Sequence, residues 1–359
     1  MHSFSSGLIH WQRQHGRHDL PWQGADAYRV WLSEIMLQQT QVATVIPYYQ
    51  RFTASFPTIA ALAAATEEQV LAHWSGLGYY ARGRNLHRAA RLIAEKYHGE
   101  FPHQFEQMLE LPGIGRSTAA AICALAYHER RAILDGNVKR VLARYCGIEG
   151  WAGAKQVEAK LWQQAEALLP QRDVAIYIQA QMDMGAMLCT RGKPKCGECP
   201  VQAGCVAYQT NCVQELPTPR PRKTVPEKYS TFLLLMHGND ILLEKRAPQG
   251  IWGGLWCLPQ FEDEEEALAW CSQQGGAAAK RGAGGSANHC ETLPPFTHTF
   301  THFKLHITPM LLRVSLKPQR VQQPGSVWLD VEEALRAAIP TPVRKMLELL
   351  GGKSAASST

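Results

Sequence analysis

The sequence lacks long apolar runs. No window approaches the roughly 20 consecutive apolar residues that a membrane-spanning helix requires, and the N-terminal segment has no apolar stretch of signal-peptide length. We therefore expect no membrane span and a reducing, cytoplasmic location, in which clustered cysteines bind metal instead of forming disulfides. The sequence also shows no internal repeat and no coiled-coil pattern, which leaves a monomer as the expected state.

The charge balance is mildly basic, with 37 Lys and Arg against 31 Asp and Glu and a net charge of +6. This excess permits a nucleic-acid partner without establishing one. The length of 359 residues allows two domains, each with its own core.

The pattern of apolar residues changes once along the chain, after a Pro-rich basic segment. Residues 1–212 have apolar residues at three- and four-residue spacing, which predicts an all-α domain. Residues 213–228 are predicted to form an extended linker. Residues 229–350 mix strand and helix patterns, which predicts an α/β domain, and residues 351–359 are expected to be a disordered tail.

Within the second domain we predict three strands and two helices, with a Gly- and Ala-rich loop at Gln274–Asn288. The strands are Tyr229–Met236, Ile241–Lys245 and Leu305–Val314, and the helices are Glu262–Cys271 and Thr341–Leu350.

Four of the ten cysteines fall within one short run, residues 189–205, at the end of the first domain. They are Cys189, Cys196, Cys199 and Cys205. Soft thiolates this close together indicate an iron–sulfur cluster or zinc. Structural zinc sites often show two Cys-x2-Cys pairs and this run has one, so the spacing favours iron–sulfur. Three basic residues of the same run would present positive charge to a phosphate backbone: Arg191, Lys193 and Lys195.

The segment Leu111–Ala126, LPGIGRSTAAAICALA, has the pattern of a helix–hairpin–helix. Gly113 and Gly115 allow a tight turn and close approach to another chain. The helix that begins near Ser117 would point its free N–H groups outward, which suits a DNA phosphate. An ordinary helix–helix turn is the alternative.

Two carboxylates are candidates for acid–base chemistry. Glu34 lies in the helical segment RVWLSEIMLQQTQV, where apolar neighbours would keep a carboxyl protonated and able to act as a general acid. Asp135 opens DGNVKRVLARY as a helix N-cap, and a carboxylate fixed in this way can stabilise a developing cation. A solvated helix Glu and a simple cap remain the alternatives.

Two further groups are candidates for contacts with bases. The amide and hydroxyl cluster Gln38, Gln39 and Thr40 can read base edges or face solvent. Tyr79 lies in the aromatic and basic loop WSGLGYYAR, where an exposed ring can stack on or wedge between bases. Core packing beside a turn is the alternative for this loop.

These motifs together resemble the helix–hairpin–helix DNA glycosylase superfamily with a C-terminal 4Fe–4S cluster, and within it the MutY-type adenine DNA glycosylases. The resemblance extends from about Leu8 to Leu350 through SEIMLQQTQV, GLGYYARGRNLH, LPGIGRSTA, ILDGNVKRV and the 6-2-5 cysteine spacing. It implies excision of adenine mispaired with 8-oxoguanine or G in double-stranded DNA. The base would be flipped out and protonated, and an abasic site would remain, at the nucleoid of a bacterial cytoplasm.

The resemblance also implies roles for individual residues. Glu34 would protonate adenine at N7, Asp135 would stabilise the oxocarbenium-like sugar, and Asn137 would be a neighbouring active-site amide. Gln179 would contact the flipped adenine. Tyr79 would wedge beside 8-oxoguanine, near Gln38, Gln39 and Thr40, and the four cysteines of residues 189–205 would be the ligands of the 4Fe–4S cluster.

Ser117 bears on the reaction type. Similar endonuclease III-like enzymes carry a nucleophilic Lys at this place and cleave the strand through a Schiff base, so Ser117 implies a monofunctional glycosylase. Lys139, close to Asp135 in sequence, leaves weak trapping of an abasic aldehyde open.

The second domain resembles a Nudix fold without the acidic hydrolase signature, so we expect it to bind and not to hydrolyse. The segment FTHF, residues 300–303, matches the family's lesion-recognition loop, where Phe-Ser-His is usual. Thr301 and His302 would therefore contact 8-oxoguanine, with Thr301 adding a methyl group to the usual hydroxyl.

Three alternatives are weighed against this interpretation. The first is an endonuclease III-like glycosylase/lyase for oxidised pyrimidines, which Ser117 and the second domain disfavour. The second is a non-enzymatic iron–sulfur DNA-binding or redox protein, which Glu34 and Asp135 disfavour. The third is a nucleotide pyrophosphatase, which the missing acidic signature disfavours.

Overall fold

The computed structural model describes residues 3–221, 224–273, 290–317 and 325–354. The chain divides into two compact units. The first contains Met1–Ala64 and Asn85–Arg222, and the second contains Ala65–Arg84 and Lys223–Thr359. Across the described ranges, no helix combines the length and the apolar character that crossing a membrane would need.

The part of the chain up to residue 209 is helical. The helices are α1 (Phe4–His15), α2 (Ala27–Leu37), α3 (Val42–Ser55), α4 (Ile59–Ala64), α5 (Glu67–Trp74), α6 (Ala81–Lys96), α7 (Phe105–Leu109), α8 (Arg116–Ala126), α9 (Gly136–Tyr145), α10 (Lys155–Ala167), α11 (Val174–Met187) and α12 (Val206–Gln209).

Local sequence fixes where two of these helices begin. The Asp26 side chain accepts a hydrogen bond from the Arg29 backbone N–H at 2.9 Å and starts α2. Asp135 Oδ1 accepts one from the Val138 N–H at 2.7 Å and starts α9. In both cases a carboxylate satisfies a helix N–H group that has no partner within the helix.

The core of the first unit is built from apolar stripes of α1, α8, α9, α10 and α11. Leu8, Leu142 and Ile178 are fully buried in it. Burial of such side chains stabilises the fold by about 1.5–3 kcal/mol each, and this core supports the first turns of α9 and the inner face of α11.

The predicted hairpin is formed by α7, a short turn and α8. Gly113 has a φ of +84°, and a methyl group there would lie 3.0 Å from Cβ of Asn85. Gly115 is the N-cap of α8, and no side chain caps the helix. The first N–H groups of α8 are therefore left for an external acceptor.

The second unit contains a mixed sheet. Its strands are β1 (Glu227–His237), β2 (Asp240–Lys245), β3 (Trp256–Cys257), β4 (Gln260–Phe261), β5 (Cys290–Thr292), β6 (Phe296–Thr299), β7 (Lys304–Arg313) and β8 (Ser326–Asp330), and its further helices are α13 (Glu264–Gln273), α14 (Val331–Arg336) and α15 (Thr341–Ser354).

The sheet is centred on β1 and β7, which pair in parallel with Leu234 opposite Leu311. The order β3-β2-β1-β7-β5 forms its spine, and the remaining strands pair antiparallel with β1, β2 and β7. Residues 231–236 of β1 are all buried. A continuous apolar run of this kind is typical of a strand covered on both faces.

The fold class predicted from the sequence is confirmed in its architecture: a helical region that contains the predicted hairpin is followed by an α/β region with a mixed sheet. Three details differ. The first strand begins at Glu227, inside the interval 213–228, and α15 continues to Ser354, inside the interval 351–359. Residues 65–84 group with the second unit. The Gly- and Ala-rich segment 274–288 and residues 355–359 lie outside the described residues.

Candidate active site

A cleft of about 1080 Å³ in the first unit brings together predicted site residues that lie far apart in the sequence. Among its lining residues are Glu34, Gln38, Gln39, Thr40, Ser117, Asp135, Asn137, Gln179 and Arg191. The end of α2 forms one wall, and the starts of α8 and α9 with the inner face of α11 form the others.

Glu34 lies on the third turn of α2 and is partly buried. Loss of solvation, with a smaller contribution from the nearby charge of Asp135, raises the pKa of its carboxyl from 4.5 to about 8. The acid form is therefore the resident form at neutral pH. A carboxylic acid that faces a cleft in this state can donate a proton to a bound group.

Asp135 also lines the cleft, and burial raises its pKa. Hydrogen bonds from the backbone N–H groups of Val138 and Asn137 oppose this rise, as do the charges of Arg140 and Lys139. These groups favour the ionised form of Asp135, and its charge in turn favours the protonated form of Glu34. The pair offers one acid and one anion in the same cleft.

We expect the rate constant for base release to fall as pH rises and Glu34 loses its proton. The acid form of Glu34 is present below its pKa of about 8 and is lost above it, so the rate should fall about tenfold for each pH unit above that value. Single-turnover measurements with enzyme in excess, from pH 6 to pH 10, would test this. A rate that stays constant through pH 9.5 would contradict an acid role for Glu34.

Asn137 sits on the first turn of α9 against α11. Its Oδ1 accepts a hydrogen bond from Arg140 Nη2 at 2.8 Å, and the same nitrogen donates to the Gly185 carbonyl at 2.7 Å. A methyl group at Gly185 would lie 2.6 Å from Cβ of Asn137. Arg140 Nε also donates to the Cys189 carbonyl at 2.7 Å. One guanidinium thus connects the cleft to the start of the cysteine run.

Gln179 is oriented by a buried carboxylate on the next turn of α11. Its Nε2 donates to Asp183 Oδ1 at 2.8 Å. Asp183 is fully buried and also accepts from Arg17 Nε at 2.9 Å, from the Arg17 backbone N–H at 2.8 Å and from Gln12 Nε2 at 3.0 Å. Arg17 itself lines the cleft, so Asp183 fixes two of the groups that face a bound molecule.

Ser117 and Lys139 have partners that define their local roles. Ser117 Oγ accepts a hydrogen bond from the Leu134 N–H at 3.0 Å, which ties the hairpin helix to the chain just before Asp135. Lys139 Nζ forms an ion pair with Glu158 Oε1 at 2.6 Å, and Lys139 is not among the residues that line the cleft.

The polar cluster after α2 forms the rim of the cleft. Gln38 ends the helix, and Gln39 follows in the left-handed region with φ of +58°. Thr40 Oγ1 donates to the Gln38 carbonyl at 3.4 Å. The chain reverses sharply here, and the exposed side chain of Gln39 points away from the core.

The four cysteines line a separate cavity. Its walls are mostly apolar, with Val141, Tyr145, Met184, Leu188 and Val201. Arg144 Nη1 donates to Cys189 Sγ at 3.3 Å and to the Thr190 carbonyl at 2.8 Å. In the described ranges, no three His, Cys, Asp or Glu side chains converge on the position of one ion. The four thiols line one cavity, and four soft sulfur donors brought together in this way fit an iron–sulfur cluster.

The remaining predicted residues lie elsewhere. Lys193 and Lys195 are exposed on the cysteine run, and Gly113 and Gly115 form the hairpin turn. Tyr79, Thr301 and His302 belong to the second unit and are exposed. Thr301 and His302 occupy the turn between β6 and β7, where the flanking rings of Phe300 and Phe303 stack with centroids 4.3 Å apart.

Three residues of the site were not found from the sequence: Arg17 and Arg140, which line the cleft, and the buried Asp183 behind it. Each acts through a partner distant in the chain, and Arg17 and Asp183 are 166 positions apart. Asp183 did carry a signal, because an isolated carboxylate within the apolar segment IYIQAQMDMGAM must be paired if the helix is buried.

Comparisons with known families match three parts of the chain. Residues 32–167 match the HhH-GPD superfamily of base excision DNA repair proteins. Residues 189–205 match the iron-sulfur binding domain of endonuclease III, and residues 231–349 match the NUDIX domain. These matches cover the helical cleft, the cysteine-lined cavity and the mixed sheet in turn.

Individual proteins are similar over greater lengths. An adenine DNA glycosylase of Buchnera aphidicola is 41% identical over 347 residues, which cover 96% of this chain and 97% of the relative. The human adenine DNA glycosylase is 34% identical over 412 aligned positions, covering 98% of this chain and 74% of the relative. The structure of a thermostable thymine-DNA glycosylase aligns with a TM-score of 0.52 at 27% identity, over 58% of this chain and 95% of its own.

Proposed function

Because the chain belongs to the adenine DNA glycosylase family, we propose that its substrate is adenine paired with 8-oxoguanine or guanine in double-stranded DNA. The chain is a base excision repair enzyme that hydrolyses the N-glycosyl bond of adenine in DNA, and its cofactor is a 4Fe–4S cluster. The observation that supports the catalytic assignment is the pairing of Glu34, with a pKa of about 8, and Asp135, which accepts backbone hydrogen bonds, in one cleft.

In the proposed reaction the target adenine leaves the base stack and enters the cleft. Glu34 donates its proton to the base, because neutral adenine is a poor leaving group. The bond between C1′ and N9 then breaks, and its electron pair leaves with the base. Asp135 stabilises the cationic sugar.

Water completes the proposed reaction. Its hydroxyl adds at C1′ and its proton returns to Glu34, so the enzyme regains its starting state. The products are free adenine and an abasic site. Ser117 provides no amine for a Schiff base, and the amine of Lys139 is held by Glu158 at 2.6 Å. We therefore propose a monofunctional enzyme.

Contacts around the base are proposed for the amides of the cleft. Asn137 and Gln179 are each held by a neighbouring side chain at 2.8 Å, so they can form directional hydrogen bonds at little entropic cost. The 4Fe–4S cluster would be held by the four cysteines around the second cavity. Positive and unsatisfied groups beside these sites would bind phosphates: Gly113, Gly115, Ser117, Arg191, Lys193 and Lys195.

The decisive experiment is single-turnover base release from a duplex with one A opposite 8-oxoguanine. A·G, A·T and thymine-glycol duplexes serve as comparisons. We expect adenine release from the two mispairs alone, with strand breakage only after alkali. Release from thymine glycol with spontaneous nicking would instead indicate an endonuclease III-like lyase, and no release from any duplex would indicate a binding protein.

The turn that carries Thr301 and His302 is proposed to recognise 8-oxoguanine. Thr301→Val keeps the size of the side chain and removes its hydroxyl, so loss of one hydrogen bond should lower the rate on A·8-oxoguanine by about tenfold. The rate on A·G should stay the same. Thr297→Val, in β6 of the same hairpin, is the matched control, and equal losses in both variants would contradict the recognition role.

A further inference from the structure

The loop Gly76–Tyr80 of the second unit displays one aromatic ring on a strained backbone. Gly76, Gly78 and Tyr79 have φ of +96°, +77° and +48°, and Tyr79 is 46% exposed. A bulky residue in the left-handed region is strained and persists only where its surroundings hold it there. Something must therefore fix this loop.

Part of the support comes from inside the segment. Trp74 is fully buried, and its Nε1 donates to the Gly78 carbonyl at 3.2 Å. Arg82 Nη2 donates to the same carbonyl at 3.1 Å, and its guanidinium lies 5.6 Å from the centre of the Tyr79 ring. These two donors hold the Gly78 carbonyl, and the Tyr79 ring remains exposed to solvent.

The rest of the support comes from the chain between α14 and α15. The buried carbonyl of Ile339 accepts from Ser75 Oγ at 2.8 Å and from the Tyr80 hydroxyl at 3.3 Å. The Tyr80 oxygen in turn accepts from the Gly76 N–H at 3.3 Å. Arg344 Nη2 donates to Ser75 Oγ at 3.1 Å. One carbonyl thus holds the residues on both flanks of the strained turn.

We propose that this carbonyl clamp, formed by Ile339 O with the hydroxyls of Ser75 and Tyr80, positions Tyr79 to read the base opposite the target adenine. The inference rests on the proposed function, since it assigns part of the preference for 8-oxoguanine to residues that touch no DNA. Ser75 and Tyr80 are positioning residues. Holding the ring in one orientation before DNA arrives removes the ordering cost from the recognition step.

The clamp predicts a selective defect in the full-length protein. Ser75→Ala combined with Tyr80→Phe removes both donors and keeps the buried ring. We expect the ratio of single-turnover rate constants, A·8-oxoguanine over A·G, to fall about tenfold, with the A·G rate changing by about threefold at most. Amide hydrogen exchange across residues 75–80 should accelerate. Tyr127→Phe, which removes a hydroxyl bonded to the Phe101 carbonyl at 3.2 Å in the first unit, is the matched control.

Repeating the clamp substitutions in a Tyr79→Leu variant separates an effect on the position of Tyr79 from general destabilisation of the fold. In Tyr79→Leu protein the clamp substitutions should cause no further loss, because the residue that they position is gone. An unchanged ratio, equal loss on both pairs, or full additivity with Tyr79→Leu would overturn the proposal. If the double variant does not fold, Tyr80→Phe alone provides the same comparison with a smaller effect. A wild-type protein without preference for A·8-oxoguanine over A·G would also overturn the clamp, whereas one that releases adenine from neither mispair would refute the proposed function.

Discussion

Glu34→Gln is expected to lower the single-turnover rate constant for adenine release by about 10³-fold, since general acid catalysis contributes about 10²–10⁴-fold. Glutamine keeps the size and polarity of the side chain but has no proton to transfer. Affinity for duplex DNA should remain, because it depends on basic residues and backbone N–H groups outside this position. Base release under excess enzyme and a binding titration measure the two quantities separately.

The same substitution should make the folded protein more stable. The carboxyl of Glu34 has a pKa of about 8 when folded and 4.5 ordinarily, so the folded state holds a proton that the unfolded chain releases between these pH values. The free energy of unfolding therefore falls as pH rises through this window, and glutamine avoids that loss. We expect a gain of about 4 kcal/mol at pH 8 and close to none at pH 4.

Urea titrations of both proteins at the two pH values measure this difference. Glu95→Gln is the matched control, because Glu95 is exposed on α6 and should affect neither stability nor excision. Retained excision in Glu34→Gln would remove Glu34 from the chemistry. Reduced stability at pH 8 would show that its carboxyl is not buried as a neutral acid.

Asp135→Asn is expected to lower excision by about 10²–10³-fold, the range for loss of one preorganised electrostatic contact to a developing charge. Asparagine is as good an N-cap as aspartate, and its Oδ1 can still accept from the Val138 N–H, 2.7 Å away in the wild type. The variant therefore keeps the helix start and removes the charge. It separates the two roles that the sequence left open for this residue.

The pH profile gives a second result for the same variant. The charge of Asp135 is one of the two causes that raise the pKa of Glu34. In Asp135→Asn only burial remains, so the fall in rate should begin at a lower pH than in the wild type. Asp26→Asn, which changes the cap of α2 in the same way, is the control. A fall in excision matched by an equal fall in helix stability would reduce Asp135 to a cap.

Local sequence patterns predicted the features that depend on contacts between residues close together in the chain. The cap at Asp135 is set by a residue three positions away, and β1 follows from its own apolar run. Local patterns alone did not place Glu34 and Asp135 in one cleft, because they are about 100 positions apart. The resemblance to a known family supplied that expectation, and the cleft brings the two residues together.

Contacts between residues that are distant in the chain could not be predicted from local sequence patterns. Arg17, which follows α1, meets Asp183 of α11, and neither has a local motif. The short strands β5, β6 and β8 are fixed by pairing with longer neighbours, since three to five residues carry little periodicity. Residues 65–84 read as one more helical segment, and only contacts show that they group with the sheet.

The absence of a side chain at Gly185 has a further consequence. A single methyl group there would lie 2.6 Å from Cβ of Asn137, so the spacing of α9 and α11 is set by bare backbone. That spacing also determines how far Asn137 extends into the cleft from one wall and Gln179 from the other. The width of the cleft thus depends on glycine having only a hydrogen atom at this position. An added methyl group, which carries neither charge nor polarity, would widen the spacing and so alter which bases can enter.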